Sequence, residues 1–240
     1  KGEADSVGQA RLNWLRGSNA REVGQTNGIF RSRTKLLGDI VNSDPLYVKS
    51  EDFGFSLLPT EGATYAAYVA GKQSRTPMLY VGANDGMLHG FNASNGNEVF
   101  AFIPAGVYGT AAAPKLAALT DPAYTHQYFV DGSARASDAY LNSTWKTILV
   151  GSTGAGGKSV FAIDVSNPGS LGASSVLWEF STAPDATHKL GVAMSNPVIS
   201  RLASGDWVAI FGNGYDSGDN VKLFVVRLSD GQLLRAIDTG

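Results

Sequence analysis

The chain has 240 residues, a formal net charge of −2 and no cysteine. That balance gives no basic footprint for nucleic acid, and the missing thiols exclude disulfides and thiolate metal sites without fixing a compartment. Apolar residues make up 43% of the chain and charged residues only 17%, while 29 glycines and 9 prolines are dispersed along it, a composition suited to an all-β protein with many turns. No stretch of about 18 apolar residues occurs, so no membrane span is predicted. With neither an initiator Met nor a signal peptide at Lys1, the sequence is expected to be a piece of something longer.

Residues 7–17, VGQARLNWLRG, are predicted to be helical, with Leu12 and Leu15 at i,i+3 beside Trp14 and Gly17 as the stop. SNAREVGQTNGIFRSRTK then reads as a polar linker, with Arg31, Arg33 and Lys35 on a solvated connector. The first unit is therefore residues 1–35, helix and linker, and no later segment predicts a helix. From residue 36 onward strand signals dominate. MLYVGANDGMLHGFNASNGNEVFAF is an apolar strand ending at Gly82, a polar turn, an alternating strand, a second turn and a closing strand. The turns Asn84-Asp85-Gly86 and Asn95-Gly96 supply the positive φ that tight hairpins need, so Asp85 reads as a turn residue.

Two relatives of this stretch follow, one from Thr147 and one from Trp207, with apolar strands carrying Gly151 and Gly212. Their alternating strands are SVFAIDV and KLFVVRL, against MLHGFNA in the first. A lead-in precedes each unit: LLGDIVNSDPLYV, YFVDGSARASDAYL and LGVAMSNPVIS, with strands expected to start near Ile40, Tyr128 and Val192. Four strands repeated in this way make a propeller blade, because one blade has two apolar faces and buries them only against its neighbours. The prediction is an all-β, partial β-propeller of about three four-stranded antiparallel blades, near 36–104, 125–181 and 190–240. Gly82, Gly151 and Gly212 are expected at equivalent places, and further blades beyond Gly240. Phe91, Phe100, Phe102, Phe161, Trp178, Phe180, Trp207 and Phe224 are expected to pack between blades.

Several motifs resemble chemistry. GSTGAGGKS ends like a phosphate-binding loop, but Ser152 stands where the pattern needs Gly, and a strand follows where a helix N-terminus must hold the phosphates. GNGYDSGDN fails as a dinucleotide loop for the same reason. Asn213, Asp216, Asp219 and Asn220 offer the hard oxygens that calcium takes, without the spacing of a D-x-D-x-D-G loop, so the reading is a solvated hairpin tip and not a metal site. His89, His126 and His188 lie far apart with no second His at ligand spacing. No G-x-S-x-G elbow and no matched acid–base set is present, so no catalytic residue is assigned.

The segments LLGDIVNSDPLYV, MLYVGANDGMLHGFNASNGNEVFAFIPAGVY and YFVDGSARASDAYLN, followed by KTILVGSTGAGGKSVFAIDVSNP, resemble the PilY/PilC family of type IV pilus assembly and tip-adhesin proteins over about residues 30–240. The resemblance implies a modified β-propeller in the C-terminal half of a long secreted protein at the pilus tip and outer membrane. It implies a role in promoting pilus extension against retraction and in attachment, with pilins or other pilus components and a host or surface receptor as partners. It also implies a calcium loop rich in Asp, expected in a later blade outside this chain, so no cofactor is assigned to these residues. The alternatives are a quinoprotein dehydrogenase propeller, whose blades share a similar rhythm but which needs quinone ligands and usually a vicinal Cys pair, and a plain scaffold propeller of envelope assembly.

Overall fold

The computed structural model describes residues 5–110, 112–182, 188–192 and 195–240. Twelve strands form three four-stranded antiparallel sheets, in the order of the chain. The first blade is β1 (Leu46–Val48), β2 (Met78–Gly82), β3 (Leu88–Asn92) and β4 (Glu98–Phe102). The second is β5 (Arg135–Leu141), β6 (Thr144–Ser152), β7 (Ser159–Asp164) and β8 (Val176–Ser181). The third is β9 (Val198–Arg201), β10 (Trp207–Gly212), β11 (Lys222–Arg227) and β12 (Leu233–Asp238). Turn chemistry sets the hairpins: Gly86, Gly96 and Gly231 take positive φ, as do Asn142 and Ser143 in the two-residue turn of the second blade. β5 touches both β1 and β9, so the lead-in strands sit side by side on the inner edge of the array.

The lead-in strands begin later than expected, at Leu46, Arg135 and Val198. Pro45 and Pro197 explain two of these starts: a proline has no N–H for the ladder and is tolerated only at or before a first strand residue. The residues ahead of each strand instead bond to the β2–β3 type loops. Asn84 N–H donates to the carbonyl of Asp39, Asp131 N–H to Thr153 and Gly191 N–H to Asn213. Neighbouring lead-ins are also laced together, Asn42 to both carboxylate oxygens of Asp131 and Asp44 N–H to the Ser133 hydroxyl. Of the expected region near Val192, residues 193–194 lie outside the described residues, and Val192 itself forms a bridge to Tyr215.

A bulge at the same place in every blade fixes the equivalences. The register between the third and fourth strands shifts after Gly90, Ala162 and Val225. Counting from there, Gly82 and Gly212 coincide and Gly151 falls one residue earlier, within one residue spacing of them: Ser152 holds their place, and Gly151 matches Val81 and Phe211. Gly151 has its own cause, since a Cβ there would lie 2.7 Å from the Phe161 ring on the paired strand. The same count places Phe161 and Phe224 at the site His89 holds in the first blade, and Phe180 at the site of Phe102.

Two apolar cores result. One lies between the first and second blades, where Phe102 meets Phe161 edge-on at 5.2 Å. The other lies between the second and third, where Phe180 packs on Phe211 and Phe224 at 5.4 and 5.6 Å. Of the rest of the expected aromatic set, Phe100, Trp178 and Trp207 are buried in these cores, but Phe91 is not between blades: it is half-buried, stacks on His89 at 5.7 Å and lines the outward face of the first blade. Each fully buried aliphatic or aromatic side chain of this kind contributes about 1.5–3 kcal/mol.

The expected helix is present as α1 (Asp5–Leu15), closed by Gly17 with φ of 101°. In the connector after it most residues are exposed, but Arg31 and Arg33 are not solvated as expected. The Arg31 guanidinium lies over Trp14 and Tyr124, and its Nε donates to the Leu119 carbonyl. Arg33 stacks 3.5 Å from the Trp14 ring centroid and donates to Glu22, both side chains being buried. Aromatic faces and one carboxylate thus hold these two cations against the fold, while Lys35 is exposed as expected. Two short helices were not anticipated, α2 (Tyr65–Gly71) and α3 (Lys115–Ala118).

α2 belongs to residues 49–77, inserted between β1 and β2. This insertion straps all three blades on the side of the β5–β6 and β9–β10 turns. Lys72 pairs with Asp138, both fully buried, and Asp138 also accepts from the Tyr65 and Thr147 hydroxyls at 2.8 and 2.7 Å. Trp145 Nε1 donates to the Glu61 carbonyl, Glu61 pairs with Arg201, and Phe55 sits between the rings of Trp145 and Trp207. Burial pushes the Tyr65 phenol up, with the neighbouring Asp138 carboxylate adding to it, so the group stays a donor.

Candidate functional site

Asn213, Asp216, Asp219 and Asn220, the oxygen-bearing residues of the expected hairpin tip, lie in the β10–β11 loop, where they bond to one another and to the chain. Asn213 is buried, donates to the Ser217 hydroxyl and the Asn220 carbonyl, and accepts from Lys222 N–H. Asp219 pairs with Lys222 at 2.6 Å, and that hydrogen bond holds its carboxyl below the usual range. The Asn220 amide donates to Asp238, and Asp216, at φ 55°, accepts Lys158 on its backbone carbonyl. The phosphate-loop look-alike forms a 3-10 turn, Gly154–Gly156, and then β7, in the strand arrangement expected from the sequence.

The histidines separate into three settings. His126 pairs with Asp39 at 2.8 Å on the surface, and His188 stacks on Phe180 at 4.5 Å. His89 is different. It is 4% exposed, its Nε2 lies 3.1 Å from both oxygens of Asp85, and its Nδ1 lies 2.5 Å from Glu98. Asp85 is more than a turn residue: it also accepts Gly38 N–H at 2.7 Å and Met87 N–H at 3.2 Å, tying the N-terminal segment to the first blade. Burial disfavours the imidazolium, but the carboxylates of Asp85 and Glu98 more than offset this and raise the His89 pKa.

This group lines a cavity of about 950 Å³ on the outward face of the first blade. Leu12 and Leu15 of α1, Arg16 just after it, Leu36 and Leu37 of the linker, and Val99 of β4 complete much of its wall. The sequence carried the signal for it in the three alternating strands. MLHGFNA, SVFAIDV and KLFVVRL match letter by letter, and the third letters are His, Phe and Phe. What the sequence did not show was Glu98, which reaches His89 only because the bulge places it opposite Phe91.

Among the described residues no set of three His, Asp or Glu side chains is arranged to hold a metal ion, and no helix is long and apolar enough to cross a membrane.

Comparison with known proteins gives a consistent picture. A model of the PilY1 beta-propeller domain matches residues 37–240. The chain is 41% identical over 236 residues to a type IV pilus biogenesis factor PilY1 homolog of Xylella fastidiosa, covering 95% of this chain and 16% of that protein. It is 39% identical over 241 residues to the type IV pilus biogenesis factor PilY1 of Pseudomonas aeruginosa strain PAK, covering 98% of this chain and 20% of that protein. The crystal structure of the Pseudomonas aeruginosa PilY1 C-terminal domain superposes with a TM-score of 0.63 at 33% identity, over 81% of this chain and 37% of that one. The chain therefore spans a fifth or less of the relatives it matches, and its three antiparallel blades are part of a β-propeller of the PilY1 family, to which it belongs.

Proposed function

We propose that this chain is a propeller segment of a type IV pilus biogenesis factor that acts by binding, without catalytic turnover, at the cell surface. Its partners are pilus components, and its part in the whole protein is to favour pilus extension over retraction and to support attachment to a surface or host receptor. The observation that carries this reading is the identity of 41% and 39% across nearly the whole chain with proteins named for pilus biogenesis. The site geometry is compatible with it. The polar groups on the loops between the second and third strands of each blade bond to lead-ins and neighbouring loops, which builds a rigid surface instead of a reactive pocket. Calcium regulation, implied by the family resemblance, is assigned to a blade outside these 240 residues.

Deleting residues 37–240 from the parent protein tests this reading. Surface pili and attachment are expected to fall while pilin levels stay unchanged. Normal piliation and attachment in a strain producing the deleted protein would contradict it.

A further inference from the structure

In the second and third blades, the site equivalent to His89 is filled by Phe161 and Phe224, each packed against an aromatic ring of the preceding blade. In the first blade the same site holds a histidine whose two ring nitrogens face two carboxylates. A ring that meets a carboxylate on each side is a double donor, which only the imidazolium can be. The two carboxylates differ in setting: the Asp85 side chain is 13% exposed and further held by Gly38 and Met87, whereas that of Glu98 is 49% exposed on the edge strand β4.

We propose that His89 is a proton-operated latch on the wall of the first-blade cavity: protonated, it clamps Glu98 of β4 to Asp85 of the β2–β3 loop, and on losing its proton it keeps Asp85 and releases Glu98 to water. The direction of release follows from burial. A neutral ring retains one N–H, and an unpartnered carboxylate costs most where water cannot reach it. The proton therefore stays on Nε2, facing Asp85, and the one on Nδ1 leaves. Release removes one positive charge from the cavity wall and frees a side chain over its mouth. The raised pKa of the ring supports the same order of events.

The other charged or titratable groups that line the cavity are few. Arg16 approaches from the residue just after α1 and Tyr108 from the segment after β4, while the linker contributes Leu36 and Leu37, and the second blade Gly172, Ala173 and Val176. Apart from His89 itself, Arg16 is the one basic residue among these lining residues. The inference stands apart from the pilus reading, because it concerns a protonation step within this chain whatever the chain serves.

The test is a pH titration of the three imidazoles of this chain by long-range proton–nitrogen correlation, with hydrogen exchange of the β4 amides on either side of the His89 transition. His89 is expected to carry protons on both nitrogens below its transition and to pass at higher pH to the form protonated at Nε2. Glu98→Gln is expected to move that transition to lower pH. Once exchange is corrected for its intrinsic pH dependence, β4 should lose protection above the transition in the wild type, and His89→Phe should abolish that step. A neutral ring protonated at Nδ1, a transition unmoved by Glu98→Gln, or β4 protection that stays constant across the transition would each overturn the latch.

Discussion

Phe161 in the middle blade and His89 in the first hold the same place in the same strand of the repeat, and they meet different surroundings. Phe161 is fully buried against Phe102 of the blade before it. His89 faces a cavity lined by the N-terminal segment and shields itself with two carboxylates. The far end of the array behaves similarly: Ile237 holds the place of Phe102 and Phe180 in the third blade, yet it is 46% exposed. A blade's strand pattern thus supplies two apolar faces, and its place in the array decides whether they are covered.

The largest effects should fall on the middle blade. Phe161→Ala is expected to cost about 3–5 kcal/mol, through lost burial and the cavity left between two sheets. Urea unfolding followed by tryptophan fluorescence measures it, and a loss under about 1 kcal/mol would show that the blade interface contributes far less than its packing implies. Next comes the strap. Lys72→Met leaves Asp138 charged and buried without its cation, and is expected to cost about 3 kcal/mol, with the double variant Lys72→Met/Asp138→Asn recovering much of it. Recovery matters more than the single loss, because it separates an uncompensated charge from simple misfolding.

The dependence on pH has two arms. His89 has a raised folded pKa, so its contribution is fully present below the ordinary histidine value and is lost as pH rises through the raised one. For Asp164 burial raises the pKa, but Lys146 and Ser166 together hold it down, so its contribution is present above the ordinary carboxylate range and lost as pH falls through the lowered value. Glu22 and Glu61 act in the same sense through Arg33 and Arg201. Thermal melts should therefore show stability falling towards acid through the carboxylates and towards base through His89, and His89→Phe should flatten only the basic arm. The smallest effect is at the open end: Ile237→Ala should cost less than about 1 kcal/mol in the same urea titration.

Most of the blade was legible in the sequence, and the misses share a cause. Strands near 78–83, 87–93 and 97–103 were set by apolar runs bounded by Asn-Gly turns, and they stand at Met78–Gly82, Leu88–Asn92 and Glu98–Phe102. Local chemistry decides such elements. The lead-ins were placed too early because LLGDIV and YFV are apolar enough for strands, while their backbone bonds go to loops across the top of the array, which no periodicity shows. α2 was missed because seven residues are too short for a helical period to stand out, and its stability comes from Asp138, Thr147 and Trp145 of another blade. Arg31 reads as solvated because its aromatic partner Tyr124 and acceptor Leu119 lie far along the chain, and Arg33 because the packing of Trp14 and Glu22 around it is a tertiary feature that no local pattern shows. The acid–His–acid group needed both a repeat alignment and a bulge to be seen.

The most direct test of the idea that position in the array decides burial is hydrogen exchange on this chain alone and within the complete parent protein. The account predicts equal protection of the middle blade, β5 to β8, in both. It predicts greater protection in the parent for β4 and β12, whose neighbours here leave Val99 and Ile237 exposed. Identical protection of β4 and β12 in the two settings would contradict it.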